Sequence, residues 1–280
     1  MEAAMRRIVL MLALTLVLGI GAEFTGVQIS YAQQASDPRV ADLVQAGRIR
    51  VGLGLGTPVA AIKDPATGEV RGPALDLARA LATRIGVELQ PVYYPRPGAV
   101  LEGVRTNAWD VTFLVADSAR AAEADFSPPY MQSDFTYFVL AGSPIRNVAD
   151  ADQAGVRIAV PRGDASDLRL TRILKRAELV RVDNIAAAVD LVRTGNASAY
   201  AAPRYLLLAE AAQRPGARVL DDHFAVIYLA AMVPKGNAGR LAYVSEFIEE
   251  AKASGLVKQT IERAGLRGVQ VAPAGNPSTR

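Results

Sequence analysis

Residues Trp109–Met131 read WDVTFLVADSARAAEADFSPPYM. The first eight, Trp109–Ala116, are apolar and rich in β-branched and aromatic types, the pattern of a buried strand. An alanine-rich stretch follows and holds one cation, Arg120. A stiff Ser127-Pro128-Pro129-Tyr130 corner closes it. An alanine-rich turn needs no arginine to fold. From the residues alone, Arg120 is either a solvated surface charge or a guanidinium aimed at an anion. Ligands of open α/β sheets gather beyond the carboxyl ends of the strands, and Arg120 falls just past such an end.

Upstream, RIRVGLGL (Arg48–Leu55) predicts a strand and PALDLARALATRIG (Pro73–Gly86) a helix. Leu77, Leu81 and Ile85 repeat every four residues, Pro73 suits a first turn and Gly86 a stop. VELQPVYY is a second strand and AVLEGVRTN a short helix. Downstream the rhythm restarts. FTYFVLAG (Phe135–Gly142) is extended, VRIAVP (Val156–Pro161) a strand, residues 164–177 a helix, LVRV a strand and residues 185–195 a helix. ASAYAAP is another strand and RYLLLAEAAQR a helix. FAVIYLAAMVPKG (Phe224–Gly236) is extended, two helices follow, and residues 271–280 read as a flexible tail. Strands alternating with helices predict an α/β fold with a mainly parallel sheet. Two extended apolar segments bracket the second unit, which predicts two lobes joined by a two-crossing hinge. The lobes are expected at 33–136 plus 229–270 and at 137–228, with a ligand cleft between them.

The chain of 280 residues is about half hydrophobic, enough for a full core. It has no cysteine and one histidine, His223, which excludes disulfides, thiol nucleophiles and His-cluster metal sites. No cofactor is expected. Arg6 and Arg7, the apolar run Ile8–Gly21 and the small residues Ser30–Ala32 predict a secretory leader cleaved after Ala32, hence a periplasmic protein. Cleavage removes two basic and two acidic residues and leaves the net charge at +3, too mild and scattered for nucleic acid.

Five segments and their order together resemble extracellular solute-binding protein family 3, the polar-amino-acid receptors of ABC importers. The segments are GRIRVGL, GPALDLARALATRIGVEL, Trp109–Met131, GVRIAVPRGDAS (Gly155–Ser166) and VPKG (Val233–Gly236). The resemblance implies a two-lobed periplasmic binding protein fold of type II. It implies a small carboxylate-bearing solute, an ABC permease as partner, a monomer and no catalysis. It makes Arg120 the bidentate anchor of the solute's carboxylate, a task that suits a planar guanidinium.

Other family contacts are changed here. The first-lobe aromatic position carries Val59, and a second aromatic position falls near Pro97. Val115 stands where a threonine is usual, and Asp117 occupies another such place. Gly163-Asp164 replaces Gly-Thr in the second lobe. The acid that pairs with an α-ammonium falls near Ala201–Pro203, where none exists. A buried ammonium without a carboxylate is costly. The expected solute therefore need not carry an α-amino group, unless Asp164 or Asp117 substitutes. Tyr94, Tyr130 and Arg96 are candidates to rebuild the wall. Two rival functions use the same fold: an accessory binding module of a periplasmic oxidation system, and a cyclohexadienyl-dehydratase-like enzyme.

Overall fold

The computed structural model describes residues 37–95, 97–116, 120–236 and 238–276. The predicted leader, Asp117 and Arg96 lie outside them. Strand β1 (Arg48–Gly54) runs parallel to β4 (Glu88–Tyr94) along its whole length and to β5 (Val111–Val115) on its other side. A small hairpin, β2 (Ile62–Lys63) and β3 (Val70–Arg71), precedes helix α1 (Pro73–Ile85). The helix buries Leu77, Leu81 and Ile85, as their spacing predicts. It stops at Gly86, whose φ of 81° is left-handed and suits glycine. A 3₁₀ turn at 97–101 leads into α2 (Glu102–Arg105), and a second 3₁₀ turn spans Arg120–Ala122.

The main departure from the expected layout is β6, a single strand from Ala124 to Val139. The sequence predicts a corner at Pro128-Pro129, because proline lacks the N–H that a sheet ladder needs. The strand instead absorbs the prolines as bulges. Its register with β11 (Ala225–Pro234) shifts on either side of Ala230. There Ser127 takes over part of the ladder: its Oγ accepts the Ala231 N–H at 3.1 Å and donates to the Pro128 carbonyl at 2.7 Å.

The second half comprises α3 (Val148–Ala151), β7 (Arg157–Pro161), α4 (Ala165–Ile173), β8 (Glu178–Val182), α5 (Ile185–Arg193), β9 (Ala199–Pro203), α6 (Arg204–Ala212) and β10 (Arg218–Val219). Helix α4 ends earlier than its sequence pattern suggests. The Asp152 carboxylate accepts the N–H groups of Lys175, Arg176 and Ala177, an alternative to continued helix that lowers the Asp152 pKa. The chain returns through β11 and closes with α7 (Ala238–Ala253), α8 (Leu256–Arg263) and β12 (Val269–Val271).

The strand order is β4-β1-β5-β11-β6-β9-β7-β8, with β10 and β12 also paired to β6. Hydrogen bonding is thus continuous from one half to the other through β6. The cores are not continuous. In the first half, Val51, Leu53, Val111, Phe113, Leu229 and Ala231 pack on one face of the sheet, and Trp109, Leu114 and Met232 belong to another cluster. In the second half, Tyr137, Ile158, Val160 and Ala201 form one cluster while Phe138, Ala159, Tyr200 and Ala202 form another. The period-2 alternation of strands feeds both faces, so these strands read as unbroken apolar runs. No buried residue among the described residues belongs to clusters of both halves.

At the junction Phe135 and Phe224 stack at 5.9 Å, and Arg204 ties β6 to the segment that precedes β11. Its Nε pairs with Asp134 on β6 at 3.1 Å, and its Nη atoms donate to the Leu220 and Asp221 carbonyls at 2.7 and 2.9 Å. The expected loose tail is held as far as Gly275: β12 pairs with Met131–Ser133, and the Gly275 N–H donates to Glu249. Residues 277–280 lie outside the described residues. No helix among the described residues is long and apolar enough to cross a membrane.

Candidate functional site

Parallel strands align their carboxyl ends, so each half of the sheet has a rim from which loops depart. In the first half, the rim carries Val115 and Arg120. The end of β5 is fixed by the return strand: Val115 faces Leu229, and the Ala116 N–H donates to the Tyr228 carbonyl at 2.8 Å. Arg120 opens the following 3₁₀ turn and is half-buried. Its Nη1 donates to the Val115 carbonyl at 2.8 Å. The guanidinium is thereby held against the strand end rather than swinging in solvent. Val115 contributes its carbonyl, which any residue type supplies, so the absent threonine does not disturb this contact.

In the second half, the rim carries Gly163 and Asp164 after β7. Gly163 adopts φ 76°, a left-handed turn open to glycine, and its N–H donates to the Asp167 carboxylate at 2.9 Å. Asp164 precedes α4 as its N-cap but makes no side-chain capping bond, so its carboxylate is not committed to its own helix. The side chain reaches solvent, yet surrounding protein raises its pKa, with the negative charge of Asp167 as the second cause.

Two tyrosines that the sequence does not single out share this neighbourhood. Strands β7 and β9 are parallel neighbours, with Ala159 opposite Tyr200, so the residues beyond their ends converge. Tyr205, in the first turn of α6, is half-buried and packs against the core of the first half. Burial pushes its hydroxyl up to about 12, and the charge of Asp164 adds to this. Tyr200 is raised by burial and then by Asp164 as well. Tyr205 thus belongs to the second half by chain position and to the first by packing. Nothing in AYAAPRY signals this, because Asp164 lies some forty residues earlier.

Beneath the rim is a brace. Asp167 is buried and accepts from Gly163 N–H, from Arg181 Nε at 2.9 Å and from the Thr171 hydroxyl at 3.2 Å. Arg181 Nη2 also donates to Thr171 at 2.7 Å. Helix α4 and strand β8 are thereby pinned to the turn that presents Asp164.

Tyr130 and Tyr94 both pack on the protein's own hydrophobic clusters. Tyr130 is wholly buried in the first-half core, edge-on to Phe113 with ring centroids 5.7 Å apart. It offers no face to a solute. Tyr94 packs on the Trp109 cluster over Gly103, where a Cβ would collide with its hydroxyl. Burial, then Glu102, raises its pKa. Val59 is also buried in the core. Ala201 and Ala202 are buried on opposite faces of β9, and Pro203 ends the strand. The described residues hold no group of three or more His, Cys, Asp or Glu able to grip a metal ion.

The two-halved sheet with charged groups on both rims matches a known receptor architecture. The model of the bacterial extracellular solute-binding proteins, family 3, matches residues 49–265. The chain belongs to this family. A glutamine-binding protein of Geobacillus stearothermophilus is 27% identical over 183 residues, covering 64% of this chain and 69% of that protein. Among solved structures, a putative binding component of an ABC transporter from Wolinella succinogenes DSM 1740, complexed with lysine, aligns with TM-score 0.68 and 25% identity. That alignment covers 78% of this chain and 96% of the other. An ancestral amino acid-binding protein, AncCDT-1, a precursor of cyclohexadienyl dehydratase, aligns with TM-score 0.63 and 25% identity over 78% of this chain and 94% of the other. The fold is the two-lobed, type II-like one of these family 3 receptors, and family 3 proteins act outside the cytoplasm.

Proposed function

We propose that this family 3 protein is a periplasmic receptor of an ABC importer, exported with its leader removed after Ala32, acting as a monomer and without catalysis. Its solute is a small amino acid or organic acid whose carboxylate pairs with Arg120. The lobes divide near residue 136 on the outward crossing and near residue 229 on the return. The observation that carries the reading is the position of Arg120: half-buried, just past β5, and held by the Val115 carbonyl. Asp117, Arg96 and Gly163 complete the proposed set. Asp164 takes the place of the acid absent at Ala201–Pro203 and meets a cationic group when the solute has one. The glutamine receptor and the lysine-complexed receptor among its relatives support an amino-acid solute.

The test is a thermal-shift screen of the mature protein against amino acids, organic acids and aromatic acids. A ligand at about 100 times its Kd stabilises the folded form by roughly 2.7 kcal/mol, which such a screen detects. The expected hits all carry a carboxylate, and Arg120→Ala removes them. Hits that survive Arg120→Ala overturn the anchor. The dehydratase relationship of AncCDT-1 motivates one further arm: turnover of a prephenate-like substrate moves the assignment from receptor to enzyme.

A further inference from the structure

Helix α4 presents an outer face that nothing in the fold uses. Leu168 is 55% and Ile173 36% exposed, two of the three large hydrophobic side chains exposed among the described residues. The segment LRLTRILKRA, Leu168–Ala177, contains four cations, Arg169, Arg172, Lys175 and Arg176, and no acid. All four are exposed. Of the nearby acids, Asp167 faces inward to Arg181, Asp152 holds the backbone N–H groups of 175–177, and Asp164 stands before the first turn, more than one turn ahead of Arg169 and two turns ahead of Arg172. Glu178, exposed, follows the segment. Several other surface arginines are matched by acids, Arg48 by Glu88, Arg105 by Glu123, Arg193 by Asp190 and Arg263 by Asp76, and the exposed arginines without an ion pair, such as Arg71, Arg146 and Arg267, stand singly rather than in a run of four cations. The Arg169 and Arg172 side chains make no ion pair or hydrogen bond among the described residues.

At about 100° per residue, Leu168, Arg172, Arg169 and Ile173 follow one another around an outward arc of about 140°. Leu170, on the opposite side, is fully buried in the second-half core. The two aliphatic tips therefore stand at the edges of the arc with both guanidiniums between them. A protein partner binds through one contiguous buried cluster with a polar rim, and this arrangement divides that cluster. A lipid headgroup layer accepts separate aliphatic tips and surrounds each cation with phosphates. We infer that the outer face of α4 docks the protein on an anionic phospholipid surface.

The experiment is co-sedimentation of the mature full-length protein with vesicles of equal parts phosphatidylglycerol and phosphatidylcholine, against pure phosphatidylcholine. Binding is expected only to the anionic vesicles at low salt. Each basic side chain near such a surface is worth about a 5-fold gain in partitioning, so R169Q/R172Q is expected to lower binding roughly 30-fold. R193Q, on α5, serves as the control and keeps wild-type binding. L168S/I173S is expected to remove whatever binding survives about 1 M salt, where charge is screened beyond about 3 Å. Circular dichroism checks the fold of each variant, and solute binding stays unchanged because the altered side chains lie on the outer face of α4. Absence of wild-type binding to anionic vesicles overturns the inference, as does equal binding by R169Q/R172Q. Binding of a poly-glutamate peptide at this face without vesicle binding also overturns it, in favour of an acidic protein partner.

Discussion

The two rims of the sheet are built in opposite ways. On the first, a cation is held by a backbone carbonyl at the end of a strand, and Arg120 brings its own charge to the opening. On the second, an anion stands unbonded at a helix start, and its geometry is set from below by Asp167 and Arg181. The first rim therefore depends on one side chain. The second depends on a network. A positive and a negative rim together suit a zwitterion, while the positive rim alone suits a plain acid.

The largest expected effect tests the single-residue rim. An Arg–carboxylate contact desolvated in a closed cleft is worth about 2–5 kcal/mol, so Arg120→Ala is expected to weaken carboxylate binding about 30-fold to several thousand-fold. Titration calorimetry on the screen's best ligand measures this. Arg120→Lys should recover only part of the loss, since lysine keeps the charge and loses the fork. Full recovery would mean that the rim needs charge and no geometry.

The network rim is expected to fail through the fold. Asp167→Ala removes three hydrogen bonds from a buried carboxylate and leaves Arg181, about one-third exposed, without its partner. The expected loss is about 2–3 kcal/mol, the low end for a broken buried pair. Denaturant unfolding reads it. A change in affinity with no change in midpoint would show that the network serves the solute rather than the turn.

The smallest effect has the opposite sign. Asp164 has a folded-state pKa above its unfolded value, so ionisation destabilises the folded form, a penalty that appears as pH rises through that pKa and persists above it. Asp164→Asn is therefore expected to raise Tm slightly at pH 7 and to leave it unchanged near pH 3. The same change should weaken binding of cationic or α-amino solutes and spare plain acids. Equal losses for both classes would place Asp164 outside the ammonium contact and remove the asymmetry between the rims.

Much of this organisation was legible in the chain. Leu77, Leu81 and Ile85 set α1, and the apolar runs at 156–161 and 197–203 set strands close to those observed, because periodicity and turn residues are local signals. The Pro128-Pro129 strand was not legible. Its ladder depends on Ser127 reaching Ala231, about a hundred residues away. Arg120 could be singled out because it lies next to the strand that positions it. Tyr205 could not, because its neighbours arrive through strand pairing and through the core of the other half. The burial of Tyr130 and the packing of Tyr94 were illegible for one reason. Tyr94 and Tyr130 are amphipathic, and a tyrosine in a strand reads the same whether it faces a cleft or the core.

Strand β6 gives the molecule a mechanical property. A pair of lobes linked by slack linkers swivels freely, and its opening costs little. Here sixteen residues form one strand, paired with β11 from Ala124 to Phe135 and with β9 from Phe135 to Phe138, and tied at Asp134 by Arg204. The ribbon acts as a torsion bar. On the proposed division near residue 136, lobe motion would have to twist this ribbon, and the ladder at Asp134–Phe138 would resist it.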